Sequence, residues 1–242
     1  MRIAIHQPHY FPWLGYFDKI GKADTFVLLD CVQFEKGSQM IRNRVLSDTG
    51  EIKYITISAD IKHFLEREYR DIRVKNPKEW KNKQINALMN YYRKAKYREE
   101  GLKIFEDFLS NDYQTLCEWT CESIRLVCRL LNIGTKIVYQ SEVGYKDEGK
   151  KSNLVLAICK ALKSECYFSG QGGSVAYLDK QKFAENGISI EFQEFVHPVY
   201  RQCGGDSFVP GLSVLDMFLN CGIEKTKKWF WEHCKAAKES YN

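Results

Sequence analysis

Two histidines, two prolines and four aromatic residues fall within eleven residues, His6-Gln7-Pro8-His9-Tyr10-Phe11-Pro12-Trp13-Leu14-Gly15-Tyr16. Prolines stiffen a loop without adding much core, and imidazoles titrate near neutrality, so the run suits a preorganised pocket in which His6 and His9 face an anionic group or move a proton. Gln7 can fix a ligand's orientation, while Tyr10 and Trp13 can stack on a base or a sugar. A zinc site would need His6 and His9 plus a carboxylate such as Asp30 and at least one further ligand. His63, His197 and His233 stand in unrelated contexts, so no metal is expected.

A second polar segment, Asp30-Cys31-Val32-Gln33-Phe34-Glu35-Lys36, follows the apolar run Thr25–Leu29, and Arg42-Asn43-Arg44 comes shortly after. Lys36, Arg44 and the Asn43 amide are suited to phosphate oxygens, Arg through its bidentate fork and Lys as a point charge. Asp30 is a candidate acid or base. Cys31 is a candidate nucleophile if a histidine draws off its proton. The third cluster is Ser169-Gly170-Gln171-Gly172-Gly173-Ser174, a glycine-rich loop after an apolar strand, whose backbone N–H groups can approach an anion closely. It matches neither a Walker A loop nor GxGxxG.

Something must hold these loops at one edge. Residues 2–5, 25–29, 136–139, 166–170 and 189–195 read as strands, and 16–20, 152–162, 180–185 and 213–220 as helices. Between them, 53–58 and 69–74 alternate as strands, Asp48-Thr49-Gly50 is a hairpin turn, and 78–97, 102–109 and 113–132 are helical, the last ended by Gly134. Strands alternating with helices at both ends predict an α/β fold: a mostly parallel Rossmann-like sheet in a single domain 1–242, with a β/helical insertion at about 42–132. Ligands of such sheets bind outside the carboxyl ends of the strands, where loops 6–15, 30–44, 141–152 and 169–177 emerge.

The 242 residues are 44% hydrophobic and 28% charged with a net charge of +5, which excludes a disordered or collagen-like chain. No apolar run is long enough to span a bilayer, so no integral membrane segment is expected. The nine cysteines include no CxxC pair and no secretory leader precedes the first strand, which predicts a reduced, cytoplasmic protein. Cys117, Cys121 and Cys128 share a helical face with Ile124 and Leu131 and are expected to be buried and inert.

Several of these segments together resemble the WbqC-like family: the His6–Tyr16 run, Asp24, Phe26–Asp30, Val32-Gln33-Phe34 with Lys36, Asn43, Tyr167–Gly170 with Tyr177-Leu178-Asp179, Pro198-Val199-Tyr200 with Gln202, and Leu212–Asp216. The resemblance runs from residue 3 to about 222. It implies a place in bacterial O-antigen, lipopolysaccharide or related surface-polysaccharide biosynthesis, as a transferase that attaches an amino-acid-type acyl group to an amino sugar. Tyr177, Tyr200 and Gln202 join the substrate-binding set through these motif positions.

Gly15, Ala23-Asp24, the following strand and Gln33-Phe34 also look like the start of pantothenate synthetase and its nucleotidylyltransferase relatives. Where those proteins carry HxGH, this chain has Trp13-Leu14-Gly15-Tyr16, with both histidines replaced. The reading that follows is an amide-forming acyltransferase or ligase acting on an amino sugar, nucleotide-linked. Its acyl donor is activated either by ATP with Mg as an adenylate or as an acyl thioester. The alternative is a non-catalytic module that binds a nucleotide-sugar or glycan through the same aromatic loop. Small-molecule substrates are the expected partners, a homo-oligomer is open, and nucleic acid is not expected because the aromatics are not interleaved with basic stripes.

Overall fold

Ile3, Ala4 and Ile5 are all buried, and as Ile3 and Ile5 join one apolar cluster and Ala4 another, the strand they form is covered on both faces. That strand, β1 (Arg2–His6), is the centre of the structure, a computed structural model that describes residues 1–146 and 149–239 without the side chains at 174, 175 and 235–239. Of the 141–152 loop, Asp147 and Glu148 lie outside the described residues, as does the Ser174 side chain of the glycine loop. The Leu14–Gly21 helix (α1) leads to strand β2 (Thr25–Leu28), which pairs parallel to β1 with Ile5 beside Val27. Strand β5 (Lys136–Tyr139) pairs parallel to β2. On the other side β6 (Cys166–Ser169) pairs with β1 and β7 (Ser189–Phe192) with β6, both parallel.

The sheet order is β5-β2-β1-β6-β7, so the molecule is α/β with a five-stranded parallel sheet. Helices α5 (Ser152–Ala161) and α6 (Lys180–Glu185) cover one face through Leu156, Ile158 and Phe183. Between β2 and β5 in the chain lie the antiparallel hairpin β3 (Arg42–Leu46) and β4 (Ile52–Thr56), then α2 (Pro77–Tyr91), α3 (Arg98–Leu109) and α4 (Leu116–Leu130). These elements, together with α7 (Val214–Cys221) and α8 (Ile223–Glu239), share one buried cluster with the other sheet face: Phe26, Leu28 and Phe168 pack in the same core as Val45, Ile55, Leu102, Ile124 and Phe218.

Local chemistry accounts for most boundaries. Thr115 accepts from the Glu118 amide at 3.2 Å while Glu118 accepts from the Thr115 amide at 2.8 Å, a capping box that starts α4. Asn132, at φ 55°, ends it in the left-handed conformation, two residues before the glycine expected to do so, and Ile133 N–H closes on the Cys128 carbonyl. Cys117, Cys121 and Cys128 are buried on its inner face.

Three expectations need correction. Residues 69–74 are a short 3-10 turn bridged singly to neighbours rather than a strand; Tyr69 is anchored by its hydroxyl, which donates to the Met40 carbonyl at 2.8 Å. The helix expected over 78–97 stops at Tyr91, because the Tyr92 hydroxyl is drawn into the core and the Tyr97 N–H docks on the Leu219 carbonyl. Helix α8 was not anticipated: Gly222, at φ 79°, turns the chain straight from α7 into it, and Phe230 and Cys234 come to rest against Gly21 of α1.

Candidate functional site

The parallel sheet reverses its winding between β1 and β6: from β1 the chain moves toward β2, and from β6 toward β7. The loops leaving the carboxyl ends of two such strands diverge, and the gap between them is the usual ligand crevice. Here it is a cavity of about 360 Å³ lined by His6, Trp13, Gly15, Tyr16, Lys19, Gly170, Gln171, Gly172, Gln193 and Phe195. The aromatic loop and the glycine loop therefore face one space. Of the residues singled out from sequence, it gathers His6, Trp13, Gly170, Gln171 and Gly172.

His6 is the last residue of β1, and its Nδ1 lies 3.0 Å from the Gln7 carbonyl. A carbonyl only accepts, so Nδ1 carries the hydrogen and Nε2 keeps the lone pair. The His9 ring meets the His6 ring edge-on at 4.7 Å, and Tyr16 packs on both, at 5.0 Å and 5.3 Å. Tyr16 donates its hydroxyl to the same Gln7 carbonyl at 2.9 Å. One turn along α1, Lys19 donates to the Ile5 carbonyl at 2.9 Å from a buried position.

Burial sets the charge of this cluster. Desolvation, helped by neighbouring His9 and Lys19, holds His6 well below the usual histidine range. Desolvation with the charge of Lys19 lowers His9 to about 3, and desolvation alone lowers Lys19 to about 7. At neutral pH both imidazoles are uncharged and Lys19 is near its midpoint. His9 Nδ1 is buried without a hydrogen-bond partner among the described residues.

Around the cluster the frame is rigid. The Gln193 amide donates to the Gly15 carbonyl and to Asp18, each at 2.7 Å, and Asp18 is ion-paired with Lys22 at 2.8 Å. Burial raises the Asp18 carboxyl, partly offset by its bonds to Lys22 and Gln193. Trp13 folds back over Gly15 so closely that a Cβ there would lie 2.3 Å from the indole, which is why glycine is needed. The indole then packs against Phe195 at 5.2 Å. Gly170 and Gly172 differ: among the described residues a Cβ at either would meet no atom beyond its chain neighbours within 4 Å, and neither backbone is left-handed, so packing demands glycine at neither.

The remaining sequence candidates serve elsewhere. Tyr10 is fully buried, with its hydroxyl on Gln84 Oε1 at 3.1 Å, so it is core rather than a stacking platform. The Asn43 amide donates to the Tyr10 and Phe11 carbonyls at 3.0 Å and 2.9 Å, and Ser213 donates to the Phe11 carbonyl at 2.8 Å. These bonds hold Phe11 at φ 40°, a conformation an aromatic residue rarely adopts. Arg44 donates to the Gly211 carbonyl at 2.9 Å, and Lys36 is exposed.

Asp30 accepts from the Ser141 backbone at 3.0 Å and from its hydroxyl at 2.5 Å. Cys31 and Gln33 line a different cavity, of about 550 Å³, which shares no residue with the crevice. Burial and nearby Asp30 push the Cys31 thiol up to about 12, so it stays protonated at neutral pH. Ser169 is buried, with its hydroxyl on the Gly170 carbonyl at 3.1 Å, and Tyr177 is partly exposed. Tyr200 and Gln202 both donate to the buried Asp216, at 2.7 Å and 3.1 Å.

Lys19, Gln193 and Phe195 were not singled out from sequence. Lys19 sits three residues after Tyr16, one helical turn, and that spacing was the available signal. Gln193 and Phe195 follow β7, the strand beside β6, and only the strand order puts them at the crevice.

Over residues 7–228 the chain matches the model of the WbqC-like protein family. It is also 27% identical, over 225 residues, to a protein of Mycobacterium tuberculosis (strain ATCC 25618 / H37Rv) named Uncharacterized protein Rv1507c, covering 92% of this chain and 95% of that one. No solved structure matches the chain. The family match begins at the aromatic loop, takes in both loops of the crevice and ends within α8, and with nearly the whole chain covered, this protein belongs to the WbqC-like family.

Proposed function

We propose that the β1/β6 crevice forms an amide bond, joining an activated amino-acid-type acyl group to the amine of a nucleotide-linked amino sugar. One observation carries the reading: His6 and Lys19 line the crevice with the glycine loop at the switch point of the sheet, His9 packs on His6, and burial holds all three wholly or partly unprotonated at neutral pH. A sugar amine is protonated in water and must shed a proton to attack a carbonyl, which calls for a neutral base in a cavity that admits little water.

In the proposed step the amine attacks the acyl carbonyl, a C–N bond forms, and the C–O bond to AMP or the C–S bond to a thiol breaks as that group leaves with its electron pair. His6 Nε2 takes the amine proton. Backbone N–H groups of Gly170–Gly172 are suited to the developing oxyanion or to a phosphate. An anionic substrate raises the proton affinity of His6 by opposing the charge of Lys19, so the base strengthens when the site is filled. Trp13 and Phe195 supply an apolar wall for a sugar or a base. The likeness to nucleotidylyltransferases supports a nucleotide in this crevice, and as HxGH is replaced by Trp13-Leu14-Gly15-Tyr16 here, the proposal requires His6 and His9 to take its place.

The test is turnover by the purified protein with an amino-sugar nucleotide and either ATP plus an amino acid or an acyl thioester. Mass spectrometry should show the sugar nucleotide gaining the acyl mass, with AMP or free thiol released in equal amount. Binding of the sugar nucleotide without turnover in either arm would make the crevice a recognition module.

A further inference from the structure

The groove between the hairpin and α2 lies on the outer face of β4, opposite the face that Ile55 buries in the core. Tyr54 and Thr56 of β4 and Ser58 just beyond it alternate along the chain and so share one face of the strand. Asn76, Glu79, Trp80, Lys83, Gln84 and Ala87 fall at i, i+3, i+4, i+7, i+8 and i+11, one stripe of α2. A strand face opposite a helix stripe is ordinarily filled by interlocking aliphatic side chains. Here the strand side carries hydroxyls and the helix side amides and a charge pair, and they flank an open groove of about 460 Å³, within the range of small-molecule sites.

Two donors in this lining have no acceptor among the described residues. Trp80 and Gln84 are 4% and 5% exposed, and neither Trp80 Nε1 nor Gln84 Nε2 has a hydrogen-bond partner among them. The Gln84 carbonyl oxygen is already taken by the Tyr10 hydroxyl at 3.1 Å, so it is the amide's NH2 group that remains unspent. Trp80 is set edge-to-face on Trp119 at 5.1 Å, which fixes the indole. Buried donors without acceptors cost free energy, and an acceptor-bearing ligand is the simplest compensation.

The lining also selects the kind of ligand. Glu79 and Lys83 are ion-paired at 2.6 Å and Glu79 is further held by Asn76, so the two charges of the lining cancel each other. Three hydroxyls, two amides and an indole N–H present donors and acceptors in mixture, and Tyr54, 46% exposed with the Arg42 guanidinium over its ring at 4.4 Å, supplies an aromatic wall. Mixed donors and acceptors beside an aromatic ring match a ring that carries many hydroxyls, each of which can donate and accept. We infer that this groove is a second ligand site and that it takes a neutral hexose ring, free or N-acetylated. The inference stands independently of the amide-forming reading.

Saturation-transfer difference NMR on the whole protein with millimolar glucose, galactose and N-acetylglucosamine tests it, with melting curves on every sample. The expected result is transfer to at least one of these sugars, weakened about tenfold or more both by Tyr54→Ala, which removes the wall, and by Ala87→Trp, which fills the groove. Trp13→Ala, in the β1/β6 crevice, removes any transfer from sugar held there, so the groove's share is the transfer that survives it. No transfer to any of the three sugars overturns the inference. So does binding that survives both groove variants, or binding lost only in Trp13→Ala, which would assign the sugar to the crevice instead.

Discussion

His6, His9, Tyr16 and Lys19 where β1 leads into α1 and Tyr92, Tyr200, Gln202 and Asp216 around α7 are both clusters of polar side chains within the fold, yet their hydrogen bonding differs. Asp216 accepts from Tyr92 at 2.7 Å, from Tyr200 at 2.7 Å and from Gln202 at 3.1 Å, and Gln202 also donates to the Val209 carbonyl and accepts from its amide. Tyr92 in turn accepts from the Leu46 amide at 3.1 Å. Every group there is spoken for, and the network ties the hairpin, α2, the chain after β7 and α7 together. At the crevice the imidazoles touch one another, His9 Nδ1 has no partner among the described residues, and the cavity lies alongside. Saturated polar networks hold structure, whereas unsatisfied ones beside a cavity are poised for a ligand.

The sharpest way to break this contrast is to remove Asp216. Asp216→Ala takes the acceptor from the Tyr92 and Tyr200 hydroxyls, while Gln202 keeps its bond to the Val209 carbonyl, and should cost ~3 kcal/mol or more of stability. In a chain of this size that lowers the melting temperature by roughly 6 to 12 °C. The rate per folded molecule should stay near wild type; a lost rate with an unchanged melt would move the catalytic reading to α7.

His6→Ala is the converse. It should lower amide formation by about 100-fold, ~2.7 kcal/mol, with little change in melting, since a general base acts on the reaction and not on the fold. His6→Asn sharpens the point, because an amide can keep the bond to Gln7 but cannot take the proton. Wild-type turnover in His6→Asn would remove His6 as the base.

Acid titration separates the regions by a smaller effect. His9 has a native value of about 3 against 6.5 in the unfolded chain. Between those values the unfolded state binds the extra proton, so stability contributed by the neutral imidazole is complete above about pH 6.5 and is lost as pH falls toward 3. His9→Gln lacks that titration, and its melting temperature should fall less steeply over this window than that of wild type. Lys19, lowered to about 7 from 10.5, has the same sign at higher pH: stability rises between those values as the unfolded chain alone holds the proton. Parallel curves for His9→Gln and wild type would show that the histidine pair is not desolvated.

The smallest expected signal is an absence. Native alkylation should spare Cys117, Cys121 and Cys128, which are buried in α4; burial pushes the Cys128 thiol up to about 12, and Cys121 is raised well above its usual value. Labelling should be confined to partly exposed thiols such as Cys31, Cys166 and Cys203, and mass spectrometry of the digested protein reads it directly. Fast modification of Cys121 would mean that the face shared by the sheet and α4 opens readily.

Much of the sheet was legible in the chain because buried parallel strands need uninterrupted apolar residues between polar loops. Ile3–Ile5, Phe26–Leu28 and Tyr167–Phe168 announce themselves, and so do the helices whose apolar residues recur every three or four positions. The family was legible for the same local reason: the His6–Tyr16 run and the later Tyr-Leu-Asp and Pro-Val-Tyr motifs are contiguous. Residue type and spacing along the chain thus determined the strands of the parallel sheet, most helices and the two loops that matter, but not the strand expected at 69–74. Which polar side chains remain unsatisfied was decided only by the tertiary structure. Asn43, Tyr200 and Gln202 look as ligand-ready as His6, but their partners, Phe11, Asp216 and Val209, arrive from other elements. Lys19 looks like an ordinary helix lysine until β1 brings the Ile5 carbonyl and two imidazoles against it. Hydrogen bonding and desolvation depend on neighbours in space, and those neighbours are set by the order in which the strands pair.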